Sequence, residues 1–370
     1  MHHLSGEHPQ DEERLVDLSD PLDLPRTLWP LQRGRGDPAL RVDPGQHRGG
    51  PAGTPGAGAW MCFRVYRRHN DGAHSPPSSL AAFEGAQPAA PLQETGVVTL
   101  RLDQLSASAV RVRAVGTTPA AAEEGLRRAP AILGAEDDWT EFELLLDAME
   151  DEASLALARI RRHHPGVRLT ATGQLFDQLI TVALEQKVTH DQARHGWRQL
   201  LNRHGERPPS SSALIAPEWM RLPLNGGQLR AVPSWEWHRM WVQPPLAATV
   251  QRIAGRAQAL HRLAEAPRET HAVAELAERL TALPGVGEWT AAEALQRSHG
   301  AADLPAVGDW HLPHLVGEAL SGVRTDDAGM LELLAPWQGH RQRVIRLIRL
   351  SGYRHQRFGP MLAPEDHRQR

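Results

Sequence analysis

The spacing of apolar residues changes near residue 118, and this change predicts two kinds of structure along the chain. Up to residue 117 apolar and polar residues alternate, which is typical of half-buried antiparallel strands. The clearest alternation is in Met61-Phe63-Val65, Val98-Leu100-Leu102 and Val110-Val112-Ala114. Beyond residue 118 apolar residues recur at spacings of three and four, the pattern of amphipathic helices. The sequence therefore predicts an α+β protein, with a small antiparallel β-rich N-terminal domain at 26–117 and an all-helical domain at 118–360.

The chain ends and two internal runs lack such periodicity. Residues 1–25 are crowded with Asp and Glu and are predicted to form a flexible acidic tail, and residues 361–370 a C-terminal tail. Two runs rich in Gly, Pro and Ser, at 44–58 and 69–79, are predicted to be mobile loops.

Length and composition narrow the protein class. The chain of 370 residues has no apolar run long enough to cross a membrane and no apolar stretch at its N-terminus, so we expect a soluble, cytoplasmic protein. The single cysteine, Cys62, excludes an internal disulfide and a cysteine-ligated cluster. The formal net charge is −3, but residues 337–370 hold eight Arg against one Asp and one Glu. A local basic surface of this kind suits an anionic partner better than the total charge suggests.

The most informative motif is Leu-Pro-Gly-Val-Gly at residues 283–287. Two glycines that flank one apolar residue allow a tight hairpin with outward-facing backbone amides. Residues 288–297 are good helix formers, so these amides lie at a helix N-terminus, which is a favourable site for a phosphate. Residues 270–280 are also predicted to be helical, with three apolar residues on one face: Val273, Leu276 and Leu280. The pattern predicts a helix-hairpin-helix.

A second motif follows the hairpin at a fixed distance. Val-Gly-Asp places Asp309 22 residues after Gly287, and Trp289 lies 20 residues before that Asp. This combination resembles the helix-hairpin-helix DNA glycosylase superfamily, and within it the alkylation-repair branch typified by 3-methyladenine DNA glycosylase II. The resemblance covers about residues 170–358. It implies base excision repair on double-stranded DNA that contains damaged bases, with Asp309 as the catalytic residue and Gly285 and Gly287 as DNA contacts.

The resemblance also implies a base pocket and a loop that enters the DNA. Trp289, and next Trp310, would stack on the flipped base. Glu293 stands where the alkylation-repair branch can carry an aromatic residue, which implies a more polar pocket. Gln186 and Lys187 occupy the loop that in the superfamily fills the gap left by the flipped base. An ordinary turn with a solvated lysine remains the alternative for Lys187.

Two further sites are implied. Arg346 lies in the predicted last helix, where arginines are either phosphate contacts or solvated surface. The hairpin of the family binds a structural monovalent cation, Na⁺ or K⁺, through main-chain carbonyls. By position these carbonyls would come from Thr281, Leu283 and Val286. No cofactor is expected for catalysis.

The residues permit one chemistry in particular. Cleavage of an N-glycosidic bond passes through a sugar with oxocarbenium character, which needs nearby negative charge and a water. Asp309 can supply both, although Asp is also a favoured helix N-cap, and the two roles are compatible. An alkylated purine already carries positive charge and leaves without an acid.

Lys187 is the only lysine, and Trp289 stands where strand-cutting members carry their Schiff-base lysine, so we expect a monofunctional enzyme.

The sequence leaves two other functions open and disfavours a third. The chain could be a non-catalytic helix-hairpin-helix DNA-binding protein, or a glycosylase for a different damaged base. A metal enzyme using the 20 histidines is disfavoured, because no HExxH motif or paired-cysteine spacing is present. We expect a monomer associated with the nucleoid.

Overall fold

The computed structural model describes residues 10–45, 55–68 and 92–353. Much of the predicted loop at 44–58, the predicted loop at 69–79 and the C-terminal tail at 361–370 lie outside these residues. Within the described residues, no helix is long and apolar enough to cross a membrane.

One antiparallel sheet of five strands, ordered β1-β5-β4-β3-β2, occupies the first third of the chain. Its strands are β1 (Gln10–Asp17), β2 (Leu40–Asp43), β3 (Gly58–Arg68), β4 (Leu92–Gln104) and β5 (Ala109–Gly116). The three alternating runs fall in β3, β4 and β5. All nine of their apolar residues are at most 3% exposed, so the predicted strands and their buried face are confirmed.

The expectation that residues 1–25 form a flexible tail is wrong for its second half. Residues 10–17 form the edge strand β1, which pairs with β5 from Gln10 opposite Gly116 to Asp17 opposite Ala109. Among residues 11–17 only Val16 is buried. Charged side chains on an edge strand prevent pairing with other molecules. They also remove the apolar alternation that would have revealed the strand.

The core built on the sheet extends past the predicted boundary at residue 117. Helix α2 (Pro119–Ile132) shares one apolar core with the sheet, and α1 (Leu24–Leu28) joins the same core. A Cβ at Gly125 of α2 would lie 2.8 Å from Cγ2 of Val98. Glycine is therefore required there, because the helix backbone approaches the sheet so closely.

The remaining helices of the described residues pack into two further cores. They are α3 (Thr140–Ala148), α4 (Glu152–His163), α5 (Leu175–Ala183), α6 (His190–His204), α7 (Gly226–Ala231), α8 (Ser234–Arg239), α9 (Pro244–Ala254), α10 (Ala257–Leu263), α11 (Thr270–Thr281), α12 (Glu288–Ser298), α13 (Leu312–Ser321), α14 (Asp327–Leu334) and α15 (Arg341–Leu350). The structure thus combines an antiparallel sheet with many helices, as the α+β prediction requires.

Helix α12 is central to the helical part. It packs against α5 and α11, and its residues enter both helical cores, Ala291 on one side and Ala292 on the other. The predicted face of α11 is confirmed, since Val273, Leu276 and Leu280 are at most 2% exposed. Because α12 is clamped between two cores, side chains on its first turns are held in defined positions.

Candidate active site

The hairpin between α11 and α12 has the geometry that the glycines predict. Gly285 has a φ of +94°, and a Cβ there would lie 2.5 Å from Oγ1 of Thr249. Only glycine fits this position, for both conformational and steric reasons. A Cβ at Gly287 would meet nothing within 4 Å. Gly287 is the N-cap of α12 and is exposed, so the amides of the first turn face open space where an anion can bind.

Asp309 lies in the loop before α13, and both of its carboxylate oxygens are engaged. Oδ1 accepts hydrogen bonds of 2.8 Å from the backbone N–H groups of His311 and Leu312. Oδ2 accepts a hydrogen bond of 3.2 Å from Nε1 of Trp289. Asp309 therefore bonds to the start of α13, but the N-cap residue of that helix is His311, so the prediction that Asp309 itself is an N-cap is wrong. Oδ2 keeps lone-pair capacity for a further partner. The residue is half-buried.

The two tryptophans predicted for the base pocket differ in their surroundings. Trp289 is half-buried and packs against both helical cores, so its ring is fixed. Trp310 is 84% exposed and does not lie in an enclosed wall. The expectation that Trp310 lines a pocket is thus not met, because the chain turns its side chain outward directly after Asp309.

Glu293 lies one helical turn after Trp289 and is buried in an ion pair. Its Oε2 is 2.5 Å from Nη2 of Arg297, whose Nε donates to the carbonyl of Pro30 at 3.1 Å. Burial alone would raise the pKa of the Glu293 carboxyl, but the positive charges of Arg297 and Arg349 lower it below its ordinary value. Glu293 is therefore an ionised hydrogen-bond acceptor rather than a proton donor.

A second buried ion pair adjoins the first, and sequence reasoning missed it. Nη1 of Arg33 lies 3.1 Å from Oε1 of Glu185, and Nη2 donates to Oγ1 of Thr181 at 3.0 Å. The charges of both Arg297 and Glu293 act on the Arg33 guanidinium. No local signal could have found this group, since residues 33, 185 and 293 meet only in the folded chain.

The loop between α5 and α6 is tied to the hairpin. Nε2 of Gln186 donates to the carbonyl of Gly285 at 2.8 Å and to Oγ1 of Thr290 at 2.9 Å. Lys187 follows with a φ of 52° and is exposed. The predicted break in the helical pattern is confirmed, and Lys187 within it has a left-handed backbone conformation.

Arg346 is not placed for a phosphate contact, which corrects the prediction for that residue. It is half-buried, its guanidinium donates to the carbonyl of Arg26, and burial lowers its pKa to about 10. The helix direction turns Arg346 towards the first third of the chain, whereas Arg349 of the same helix is exposed.

The carbonyls predicted to hold a cation surround the hairpin. Thr281 is the last residue of α11, where backbone carbonyls lack an intrahelical donor. The carbonyl of Leu283 accepts one hydrogen bond, of 2.9 Å, from the N–H of Val286, and a carbonyl oxygen has a second lone pair. Main-chain oxygens with a spare lone pair are suitable cation ligands, and the monovalent cation site at the hairpin stays a prediction.

Comparisons with solved structures agree with this arrangement. No family model and no curated protein sequence matches the chain. A 3-methyladenine DNA glycosylase from Archaeoglobus fulgidus is similar, with a TM-score of 0.63 and 15% identity over 90% of this chain and 97% of that one. An 8-oxoguanine glycosylase/lyase from Clostridium acetobutylicum, in its apo form, has a TM-score of 0.56 and 10% identity over 93% and 98%.

A third similar structure, MBOgg1 in complex with a low-affinity DNA ligand, has a TM-score of 0.55 and 11% identity over 94% of this chain and 100% of that one. All three likenesses span nearly the full length of both chains. At such low identity they show the fold and not the substrate. Together with the hairpin and Asp309, they show that this chain has the fold of the helix-hairpin-helix DNA glycosylases, with a resemblance to the alkylation-repair branch.

Proposed function

We propose that the protein is a monofunctional DNA glycosylase that hydrolyses the N-glycosidic bond of alkylated, 3-methyladenine-type purines flipped from double-stranded DNA. The observation that carries the proposal is the contact between Trp289 and Asp309. It places a fixed aromatic ring next to a carboxylate. The ring belongs to the second residue of α12, the helix that begins at the hairpin. An aromatic ring offers a stacking surface for an electron-poor base.

Asp309 would stabilise the transition state electrostatically. The sugar develops positive charge as the base departs, and a carboxylate held in place by protein hydrogen bonds needs no reorganisation to respond to it. Oδ1 is anchored by two backbone amides, which leaves Oδ2 as the oxygen available to the sugar or to an attacking water. A base that is positively charged by alkylation requires no general acid, and the ionised Glu293 would not be one.

The proposed reaction requires a duplex from which one base is removed from the stack. Gly285 and Gly287 would contact phosphate through backbone amides. Gln186 joins the loop that carries Lys187 to this hairpin, so the residue entering the DNA gap and the phosphate grip would be fixed relative to each other. This coupling would help to hold the base in the flipped position.

The identity of the residues supports an enzyme that does not cleave the strand. Trp289 occupies the place of the superfamily's Schiff-base lysine, and its indole N–H is committed to Asp309. Lys187 is exposed at the tip of its loop and is not enclosed in an apolar pocket. It therefore lacks the environment that activates an amine nucleophile.

A second candidate substrate is favoured by the buried pair of Glu293 and Arg297. Fixed donors and acceptors one turn from Trp289 could read the hydrogen-bonding edge of a neutral, oxidised purine, which an aromatic wall could not. The likeness to an 8-oxoguanine glycosylase/lyase points the same way. We rank this substrate second, because the charge of Glu293 is already balanced by Arg297, whose Nη2 lies 2.5 Å from Oε2 of Glu293.

The hairpin would also hold a structural Na⁺ or K⁺ through the carbonyls of Thr281, Leu283 and Val286. Such an ion would neutralise carbonyl dipoles where phosphate approaches. Its presence is testable by DNA affinity alone. Replacing Na⁺ and K⁺ with tetramethylammonium at constant ionic strength should weaken binding, and unchanged affinity would remove the ion from the proposal.

The direct test of function is base release. The protein is incubated with duplex DNA treated with a methylating agent and, separately, with duplex DNA containing 8-oxoguanine, and the released bases are identified by mass spectrometry. We expect 3-methyladenine from the first substrate and none from Asp309→Asn. Release of 8-oxoguanine alone would favour the second candidate. Tight duplex binding without release of any base would leave a non-catalytic DNA-binding protein.

A further inference from the structure

An arginine-rich loop lies across α6 beside the Lys187 loop. Residues 33–36 read Arg-Gly-Arg-Gly and contact two arginine side chains of that helix. A Cβ at Gly34, which has a φ of +79°, would lie 2.9 Å from Cδ of Arg194. A Cβ at Gly36 would lie 3.1 Å from Nη1 of Arg198. The two glycines therefore allow three arginines, Arg35, Arg194 and Arg198, to share one surface.

The charges on this surface are largely uncompensated. All three arginines are exposed. Within the described residues no ion pair involves Arg35 or Arg198, and Arg194 has only a contact of 4.0 Å with the exposed Asp191. Exposed ion pairs contribute little. Other arginines, such as Arg33, Arg64 and Arg343, are instead buried in ion pairs. In a chain with net charge −3, this concentration of free positive charge calls for an anionic partner.

The surface continues the one that carries the candidate active site. Gly285 of the hairpin binds Gln186, and Arg33 of the arginine-rich loop binds Glu185 next to it. Helix α6 begins three residues after Lys187. At 1.5 Å per residue, Arg194 and Arg198 lie about 6 and 12 Å along α6 from its start. Phosphates of one DNA strand rise about 3.4 Å each along the duplex, so this surface spans several of them.

We propose that Arg35, Arg194 and Arg198 form a second phosphate-binding surface for duplex DNA, in addition to the hairpin. The inference rests on the proposed function for its ligand. The hairpin binds phosphate through backbone amides, and the arginine surface binds it through guanidinium groups that carry full charge. Because the Lys187 loop contacts both the hairpin and the arginine-rich loop, the two phosphate-binding surfaces would act on the same duplex.

The test is the salt dependence of DNA binding. The triple variant Arg35→Gln/Arg194→Gln/Arg198→Gln is compared with Arg14→Gln/Arg159→Gln/Arg207→Gln, which removes the same charge from other exposed positions. Dissociation constants are measured from about 50 to 200 mM salt on a duplex with a stable abasic-site analogue. Each lost phosphate contact lowers the slope of log K against log salt by about 0.9. We therefore expect a slope smaller by about 2 to 3 for the first variant, and the wild-type slope for the control.

Equal slopes for the two triple variants would overturn the proposal. Thermal unfolding of both variants shows whether any loss comes from misfolding, and since all six positions are exposed we expect wild-type melting temperatures. The measurement needs no catalysis. If wild-type protein releases no base yet the slopes differ as expected, the proposed function fails while the phosphate-binding surface stands.

Discussion

The indole Nε1 of Trp289 donates a hydrogen bond of 3.2 Å to Oδ2 of Asp309. This bond joins the first turn of α12, which begins at the hairpin, to the loop that carries the carboxylate. Because α12 is packed between two apolar cores, the ring and the carboxylate hold each other in position. The hairpin and the candidate catalytic group are thereby connected through α12.

Replacing Asp309 with Asn should abolish base release while DNA affinity stays near that of the wild type. The carboxylate acts on charge that develops only in the transition state, whereas hairpin amides determine binding. We expect a loss on the order of a hundredfold or more in single-turnover base release. Asp327→Asn is the matched control. Oδ1 of Asp327 accepts a hydrogen bond of 3.1 Å from the N–H of Gly308, which directly precedes Asp309. Near-wild-type release by Asp309→Asn would remove Asp309 from the mechanism.

Replacing Trp289 with Phe should keep the stacking surface and remove the hydrogen bond to Asp309. A hydrogen bond to a charged group contributes about 1.5–3 kcal/mol, so we expect base release to fall on the order of tenfold or more, with less effect on affinity. Trp310→Phe changes an exposed ring and serves as the control. If the two variants behave alike in single-turnover assays, the bond does not position the carboxylate.

The enzyme should release the base and stop at an abasic site. Borohydride traps any imine between protein and sugar, so we expect no trapped complex, and strand cleavage only after treatment with alkali. Lys187→Ala and wild-type protein should give the same result. Trapping that is lost in Lys187→Ala would identify the loop lysine as a nucleophile. Trapping that persists in that variant would point to the N-terminal amine, and either result would contradict the monofunctional assignment.

Asp177→Asn should change how stability depends on pH. Burial raises the pKa of the Asp177 carboxyl from 3.8 to about 7, against the lowering effect of Arg64 and Arg128. Between these two values the folded protein holds a proton that the unfolded chain has released, so the free energy of unfolding of the wild type falls as pH rises. Above pH 7 this contribution is constant.

The Asn variant carries no such proton. The free energy of unfolding of the variant, minus that of the wild type, should therefore increase between pH 4 and 7, by at most about 1.4 kcal/mol per pH unit. The residue keeps part of its surface exposed, so we expect a smaller slope in practice. Urea unfolding of both proteins at several pH values measures the difference. A difference that does not grow with pH would show that the carboxyl is ionised in the folded state.

Local sequence determined the parts of this protein that depend on a few neighbouring residues. Alternating apolar residues predicted β3, β4 and β5, because strand pairing buries every second side chain. Two glycines around Val286 predicted the hairpin, because only a glycine at position 285 can adopt the positive φ and fit beside Thr249. The spacing between Gly287 and Asp309 indicated the candidate carboxylate. Each of these signals lies within one short segment of the chain.

The tertiary structure alone decided the features that join distant segments. Strand β1 has too few apolar residues to be recognised, and only pairing with β5 reveals it. Sequence alone left Arg346 as a candidate phosphate contact or a solvated residue, and the contact of its guanidinium with Arg26 decides against a phosphate contact. The charged group of Arg33, Glu185, Glu293 and Arg297 depends on packing between segments up to 264 residues apart. Periodicity records which face of an element is buried, but not which distant charge will lie against it.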